Sequence, residues 1–161
     1  AVSGTGGGHR PAKPFSDSKG LLLPPVKGKI VALYGPFRHP QLNVQAFRSG
    51  IEIAADRGEP VQAVHSGHVI YASWFKGYGN VLIIDHGSNF YTVYAHLEDV
   101  FKSIDTPVEA REVVATVGDS GVLGTPGLYF ELRHHGKPLD PLEWFKRGQA
   151  RPAGAAGPAM R

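Results

Sequence analysis

Eight histidines and fourteen acidic residues give this 161-residue chain its candidates for metal or acid–base chemistry, and the chain contains no cysteine. His65 and His68 are three residues apart in "HSGH", while His134 and His135 are adjacent. A zinc site needs three or four nitrogen, oxygen or sulfur ligands that converge on one point. "HSGH" contains a turn-like Ser-Gly and matches no known ligand spacing, and neighbouring side chains on a strand point to opposite faces. Neither pair predicts a metal site.

Two carboxylates, Asp85 and Glu131, could perform acid–base chemistry if they faced each other across a cleft. Nothing in their spacing requires that arrangement. An ion pair between Glu131 and Arg133 or a lysine is the favoured interpretation. The other histidines carry no separate chemical signal, since they lie in linker, loop or turn sequence: His9, His39 and His86.

The elements that must position these residues are short. Strands of four to eight residues are predicted for "KIVALYG", "GIEIAA", "EPVQAV", "GHVIYASWF", "NVLIIDHG", "FYTVYAHL", "PVEAREVVATVG" and "LYFELR". "KGYGN", "HGSN" and "GDSG" are typical of hairpin turns, in which glycine or asparagine adopts positive φ. No long segment shows the 3.6-residue period of a major helix, so the sequence predicts an all-β sandwich or barrel.

Composition divides the chain into three parts and excludes some functions. Residues 1–20 are predicted to form a flexible linker, residues 21–146 a single domain, and residues 147–161 a low-complexity tail. The longest apolar runs are far shorter than the roughly 20 residues that span a bilayer. The net charge of +3 comes from scattered basic residues without a nucleic-acid motif, so no nucleic-acid partner is expected.

Five ordered segments between Gly50 and Arg133 carry a family resemblance: "GIEIAADRGEPVQAVHSGHVIYA", "GYGNVLIIDHG", "YTVYAHL", "VGDSG" and "LYFELR". Together they resemble the LytM-type, lysostaphin-like zinc endopeptidases, which cut peptide crosslinks in bacterial cell walls. The resemblance covers almost the whole predicted domain. It implies antiparallel sheets that form a narrow groove, the duplicated hybrid motif type of fold.

The zinc ligands that the resemblance implies are mostly missing. Active members hold zinc with a His and an Asp in H-x-x-x-D and with the second His of a late H-x-H. Those motifs fall on Arg48 and Glu52, and on Gly127 and Tyr129; a guanidinium cannot coordinate a cation. Only His96 remains from the catalytic set. We therefore expect no bound metal, no cofactor and no peptidase activity.

Within this family the segments "ASWFKGYGNVLIIDHG" and "VGDSGVLGTPGLYFELRHHGKPLDPLEWF" resemble the EnvC-type murein hydrolase activators. These proteins carry a degenerate LytM domain that switches on N-acetylmuramoyl-L-alanine amidases at the division site. The resemblance implies an amidase partner bound through Tyr78, Tyr129, Arg133 and Arg48. The activators also have a coiled coil before the domain, so contact with the division machinery would use sequence outside this chain.

Other interpretations remain open. Tyr129 could fill the vacated metal pocket while Arg133 pairs with Glu131 or Glu143. The domain could instead be a module that holds peptidoglycan in the old substrate groove, or a metalloendopeptidase with a site built from Glu52 and His96. The family resemblance, together with the absence of cysteine, indicates a location in the periplasm or cell envelope.

Overall fold

The computed structural model describes residues 13–119 and 125–148. Most of the predicted linker, including His9, and the tail from residue 149 onward lie outside these ranges, as does the end of the predicted "GDSG" turn. The strands are β1 Lys29–Ala32, β2 Gly35–Arg38, β3 Gln45–Arg48, β4 Ile51–Ala54, β5 Pro60–Gln62, β6 Gly67–Phe75, β7 Gly79–Gly87, β8 Phe90–Val100, β9 Pro107–Val108, β10 Val113–Val117, β11 Gly127–His134 and β12 Lys137–Leu139.

Ten of the strands form one antiparallel sheet, and the expected all-β class is confirmed. Its main path runs β1-β4-β11-β8-β7-β6-β9, with β12 beside β11 and with β10 joining β5 to β8. Strands β2 and β3 form a separate two-stranded sheet. The described part of the chain has no helix long and apolar enough to cross a membrane.

The two faces of the large sheet have different surroundings. On β8, Phe90, Thr92 and Tyr94 are buried against the main hydrophobic core, whereas Tyr91 and Val93 are only partly buried. This alternation is expected of a strand whose successive side chains point to opposite faces. We call the side of Tyr91 and Val93 the groove face, and the other side the core face.

A chain of hydrogen bonds satisfies the polar groups on the core face. The carbonyl oxygen of Ser66 can only accept, so Nδ1 of His86, 2.8 Å away, carries the proton. Nε2 of His86 then accepts from the Thr92 hydroxyl at 2.7 Å. The Tyr94 hydroxyl, 2.9 Å from Thr92, donates to it and accepts from the Val64 N–H. Burial lowers the pKa of His86 to about 4, so this histidine is neutral and structural.

The folded domain begins earlier than the sequence predicted. A 3-10 helix at Phe15–Ser18 follows Pro14, and Phe15 is only 1% exposed. Its ring packs 4.8 Å from Phe90 and 5.2 Å from Trp144, measured between ring centroids. The predicted boundary at residue 20 is therefore wrong, because an aromatic side chain within the linker-like sequence completes the core.

Three other local predictions also need correction. Strands β2 and β3 were not predicted, and "PVEAREVVATVG" forms two strands because the chain turns at Arg111, whose φ is 69°. His134 and His135 do not point to opposite faces: their ring centroids lie 4.2 Å apart. The strand ends at His134, and His135 adopts a φ of 53° in the following turn.

Gly50 sets the distance between the β3–β4 corner and strand β11. A Cβ atom at Gly50 would lie 2.3 Å from the carbonyl oxygen of Phe130, 2.8 Å from Cγ of Glu131 and 3.0 Å from Cζ of Tyr129. These separations are shorter than van der Waals contact. The corner can therefore pack here only if residue 50 has no side chain.

We predict that Gly50→Ala destabilises the domain by about 3 kcal/mol, the upper end of the usual effect of overpacking. Gly77→Ala is the control, because Gly77 has a φ of 86° and open space around its missing Cβ. That variant should lose about 1 kcal/mol through backbone strain alone. Urea unfolding measures both. Equal losses in the two variants would contradict the steric role of Gly50.

Candidate functional site

The residues singled out from the sequence meet in one groove on the groove face. Its volume is about 840 Å³, and β2 and β3 form one of its walls. Six of the predicted positions line it: Arg48, Glu52, Tyr78, His96, Tyr129 and Arg133. Gly127 lies on the same strand as Tyr129 and lines a small neighbouring cavity together with Glu52.

Arg48, the last residue of β3, is held against the hairpin wall. Its guanidinium carbon lies 4.0 Å from the centroid of the Phe37 ring, a cation–π contact. Its Nη1 donates to the carbonyl oxygen of Leu33 at 3.1 Å. The side chain thus lines the groove at the position where the family resemblance places a metal ligand, and it brings a fixed positive charge.

Glu52 lies on β4 directly opposite Tyr129 in the strand pairing. Burial raises the pKa of its carboxyl to about 7, and the positive charge of Arg48 opposes part of that shift. Burial dominates because it disfavours the charged form more than one guanidinium stabilises it. Near neutral pH the groove therefore contains a carboxyl group that is partly protonated.

His96 interrupts the alternation of β8. Its φ is 63°, a left-handed conformation that is uncommon outside glycine. The imidazole is 2% exposed, and Nδ1 is buried without a hydrogen-bond partner. A neutral ring with its proton on Nε2 is the least unfavourable arrangement, because a buried acceptor without a partner loses less than a buried N–H donor. Burial also lowers the pKa of His96.

A buried carboxylate joins Tyr129 and Arg133 along the groove face of β11. The Tyr129 hydroxyl donates to Glu131 at 2.5 Å, and Nε of Arg133 donates to the other Glu131 oxygen at 2.6 Å. Nη1 of Arg133 also donates to the carbonyl oxygen of Gly136. Burial and the Glu131 charge raise the pKa of Tyr129 above its usual value. The expected Glu131–Arg133 pair is present, and Tyr129 is buried at 7% exposure.

Asp85 does not face Glu131. Strand β8 separates the two carboxylates, since Tyr91 pairs with Asp85 on one side and with Arg133 on the other. Asp85 accepts from the backbone N–H of Gly87 at 2.8 Å. The arrangement lacks the opposed carboxylate pair that glycoside hydrolysis requires.

The groove residues do not fit the zinc that the family resemblance implies. Among residues 13–119 and 125–148, no group of three or more His, Cys, Asp or Glu side chains could hold a metal ion. The hydroxyl of Tyr129 is bound to Glu131. A Cβ at Gly127 would lie 2.8 Å from the carbonyl oxygen of Ile53, so a histidine there needs a backbone shift. The donor set supports no metal-dependent step.

Sequence reasoning missed the hairpin wall of the groove. Three residues of this wall line the groove: Phe37 from β2, Phe47 from β3 and His39 from the connection between the two strands. Nδ1 of His39 accepts from the backbone N–H groups of Gln41 and Leu42, which shapes this connection. The segments "GPFR" and "QAFR" show no apolar alternation, so no sequence signal identified the wall.

The pKa of Glu52 gives a pH prediction. Its folded-state pKa is raised above the unfolded value, so the folded protein binds more protons between about pH 4.5 and 7, and stability falls as pH rises through this window. Glu52→Gln removes that loss. We expect the variant to gain on the order of 1 kcal/mol relative to the wild type between pH 4.5 and 7, after allowance for solvent access to the side chain.

The difference in the free energy of unfolding between Glu52→Gln and the wild type, followed as a function of pH, tests this prediction. His86 acts in the opposite direction, because its lowered pKa makes stability increase with pH between about 4 and 6.5. Urea unfolding at several pH values gives the difference, with the exposed Glu109→Gln as the baseline for removing a carboxylate. A Glu52→Gln difference that does not change with pH would contradict the raised pKa.

Comparison with known proteins identifies the family. The family model described as Peptidase family M23 matches residues 46–141. Murein hydrolase activator EnvC of Escherichia coli (strain K12) is 35% identical over 129 residues, which make up 80% of this chain and 30% of that protein. Murein hydrolase activator NlpD of the same strain is 32% identical over 122 residues, 75% of this chain and 30% of that protein.

A solved structure shares the fold. A zinc-containing peptidase from Vibrio cholerae matches with a TM-score of 0.69 and 29% identity, over 73% of this chain and 37% of that one. The chain spans about 30% of the length of the two activators. The LytM-type resemblance read from the sequence motifs is confirmed: the chain belongs to peptidase family M23.

Proposed function

We propose that this domain is a non-catalytic M23 domain that binds a cell-wall N-acetylmuramoyl-L-alanine amidase through its groove and activates it. The observation that carries the proposal is a groove of about 840 Å³ lined by Arg48 and Tyr129, at positions where the family resemblance places metal ligands. The cavity remains large enough for a protein segment, while the groups that would cut a peptide are replaced.

The groove offers the side chains that anchor protein interfaces. Tyr78 is 40% exposed, and its ring centroid lies 5.9 Å from that of Tyr129. Arg133 is oriented by Glu131 and Gly136, which reduces the entropy lost when it contacts a partner. Tyrosine and arginine are enriched among the residues that dominate binding energy. Tyr129 is mostly buried and packs beneath the exposed Tyr78, so its role is to position this surface.

The names of two relatives support this proposal. Two proteins that match most of this chain are named murein hydrolase activators. Because the chain corresponds to about 30% of each, it would supply the activating domain and other sequence would supply contact with the division machinery. The proposed function implies a location in the periplasm or elsewhere in the cell envelope, where a cell-wall amidase acts.

The first functional prediction concerns Tyr78→Ala and Arg133→Glu. Each should weaken amidase binding about thirtyfold, equivalent to about 2 kcal/mol for an interface anchor. Arg133→Glu also places a second carboxylate beside Glu131. Binding is measured with purified amidase, and activation is measured by dye release from labelled sacculi. Both variants should reduce activation to the level of the amidase alone.

Matched controls test whether a loss of activation is specific to substitutions in the groove. Phe101→Ala removes an aromatic ring that is 58% exposed but lies outside the groove. Lys137→Glu reverses an exposed charge on β12. Both controls should activate normally, and these controls and Tyr78→Ala should melt within a few degrees of the wild type. Arg133→Glu should melt at a lower temperature, because it removes a hydrogen-bond partner of the buried Glu131, so its activation is measured where it remains folded. Full activation by folded Tyr78→Ala and Arg133→Glu would remove the groove from the mechanism.

A second functional prediction concerns metal and catalysis. The purified domain should contain less than stoichiometric zinc by elemental analysis, and it should release no products from crosslinked peptides with or without added zinc. The reason is the donor set, in which Arg48 and Gly127 cannot serve as ligands. One tightly bound zinc per chain, or peptide cleavage that a chelator stops, would instead establish a non-standard site containing Glu52 and His96.

A binding assay with purified sacculi tests the alternative that the domain is a peptidoglycan-binding module. Purified sacculi are incubated with the domain alone and then with the amidase added. Recruitment that depends on the amidase supports the activator proposal. Strong sedimentation with sacculi alone, without any effect on amidase activity, supports a wall-binding module.

A further inference from the structure

The outer edge of β6 has an incomplete set of strand partners. β6 pairs with β7 from His68 to Phe75, whereas β9 pairs only with Gly67 and His68. The loop before β9 bonds to the backbone of Val69 and ends the pairing there. In the described ranges, no strand pairs with the outer edge from Tyr71 to Phe75. Its outward backbone groups are therefore available to another extended chain.

Beyond the irregularity between Val69 and Tyr71, this edge lacks the side chains that usually protect against pairing. Exposed edge strands commonly carry lysine, proline or inward-pointing charges that oppose strand addition. The segment Tyr71–Phe75 reads "YASWF" and contains none of them. Trp74 is 63% exposed and Phe75 is 54% exposed. The first charge along the chain is Lys76, in the turn that follows.

We propose that β6 of a second copy of this chain pairs antiparallel with this edge, on a two-fold axis through Ser73. The available window is the five residues from Tyr71 to Phe75, because Ile70 lies in the register irregularity between Val69 and Tyr71 and the turn begins at Lys76. Ser73 is its centre. This register places Ser73 opposite Ser73, Tyr71 opposite Phe75 and Ala72 opposite Trp74 of the second copy.

The side chains of the window are self-complementary in this register. Tyr71 and Phe75 already lie on one face, with ring centroids 6.5 Å apart, and aromatic cross-strand pairs stabilise antiparallel strands. On the other face the large Trp74 meets the small Ala72. No charge inside the window repels its copy. The partner strand must compete with the 3.3 Å hydrogen bond from the Tyr71 hydroxyl to the carbonyl oxygen of Trp74.

The geometry has a consequence for the groove. A two-fold axis that relates antiparallel strands of one continuous sheet is perpendicular to that sheet. Both groove faces therefore point the same way, and neither groove is covered. The contact is small, so we expect a weak dimer with a dissociation constant on the order of 100 μM.

A single introduced cysteine tests the register, since the chain contains none. Opposed residues of antiparallel strands have Cα atoms about 4.5–5.5 Å apart, which lies within disulfide range. Under mild oxidation Ser73→Cys should form a covalent dimer at least about tenfold faster than Ser88→Cys, an exposed site on the β7–β8 turn. Adding Trp74→Lys to Ser73→Cys should remove that advantage, because the lysines introduce like charges at the contact.

Sedimentation velocity of the unmodified chain gives an independent measurement. The mean sedimentation coefficient should increase with concentration around the expected dissociation constant, and Trp74→Lys should abolish the increase. Similar crosslinking rates for Ser73→Cys and Ser88→Cys would overturn the proposal, as would a monomer at all concentrations. Neither result depends on an amidase, so this inference can fail while the proposed function stands.

Discussion

The close approach of Gly50 to strand β11 is the contact on which the groove depends. The backbone at Phe130 leaves no room for a side chain at position 50. The β3–β4 corner therefore packs directly on β11, and the β2–β3 wall stands beside the groove face. Arg48 lies two residues before Gly50 and Glu52 two residues after it. Because Gly50 has no side chain, the corner packs close enough for both residues to line the groove.

The ionisable groups of the groove differ in how their burial is compensated. Glu131 accepts hydrogen bonds from Tyr129 and Arg133, which satisfy both of its oxygens. Glu52 and His96 are compensated less well, as the raised pKa of Glu52 and the unpartnered Nδ1 of His96 indicate. Buried polar groups of this kind gain favourable interactions when a ligand supplies partners. The ionisable groups along β11 therefore have their hydrogen-bond partners, whereas Glu52 and His96 leave unused hydrogen-bonding capacity in the groove.

Local pattern was sufficient for most of the large sheet, because β6, β7, β8 and β11 are long runs whose turns contain glycine or asparagine. The sequence did not predict the β2–β3 wall, because its position depends on the packing of Gly50 against β11, a contact between residues far apart in the sequence. The residues next to His96 in the sequence also give no signal of its left-handed backbone conformation. The groove residues were identified through family resemblance, but only the structure shows that Glu131 joins Tyr129 to Arg133.

The segment after Phe15 also fixes where the chain enters and leaves the domain. Gly20 and Leu22 both donate to the carbonyl oxygen of Trp144, and Lys146 donates back to Leu22. Entry and exit therefore lie side by side on the core face, away from the groove. Leu22 and Phe145 form a parallel bridge, so tension that pulls the two flanking segments apart acts along these strands and loads their hydrogen bonds together, in shear. The domain can thus bear a pull from either side at this junction while its groove keeps its shape.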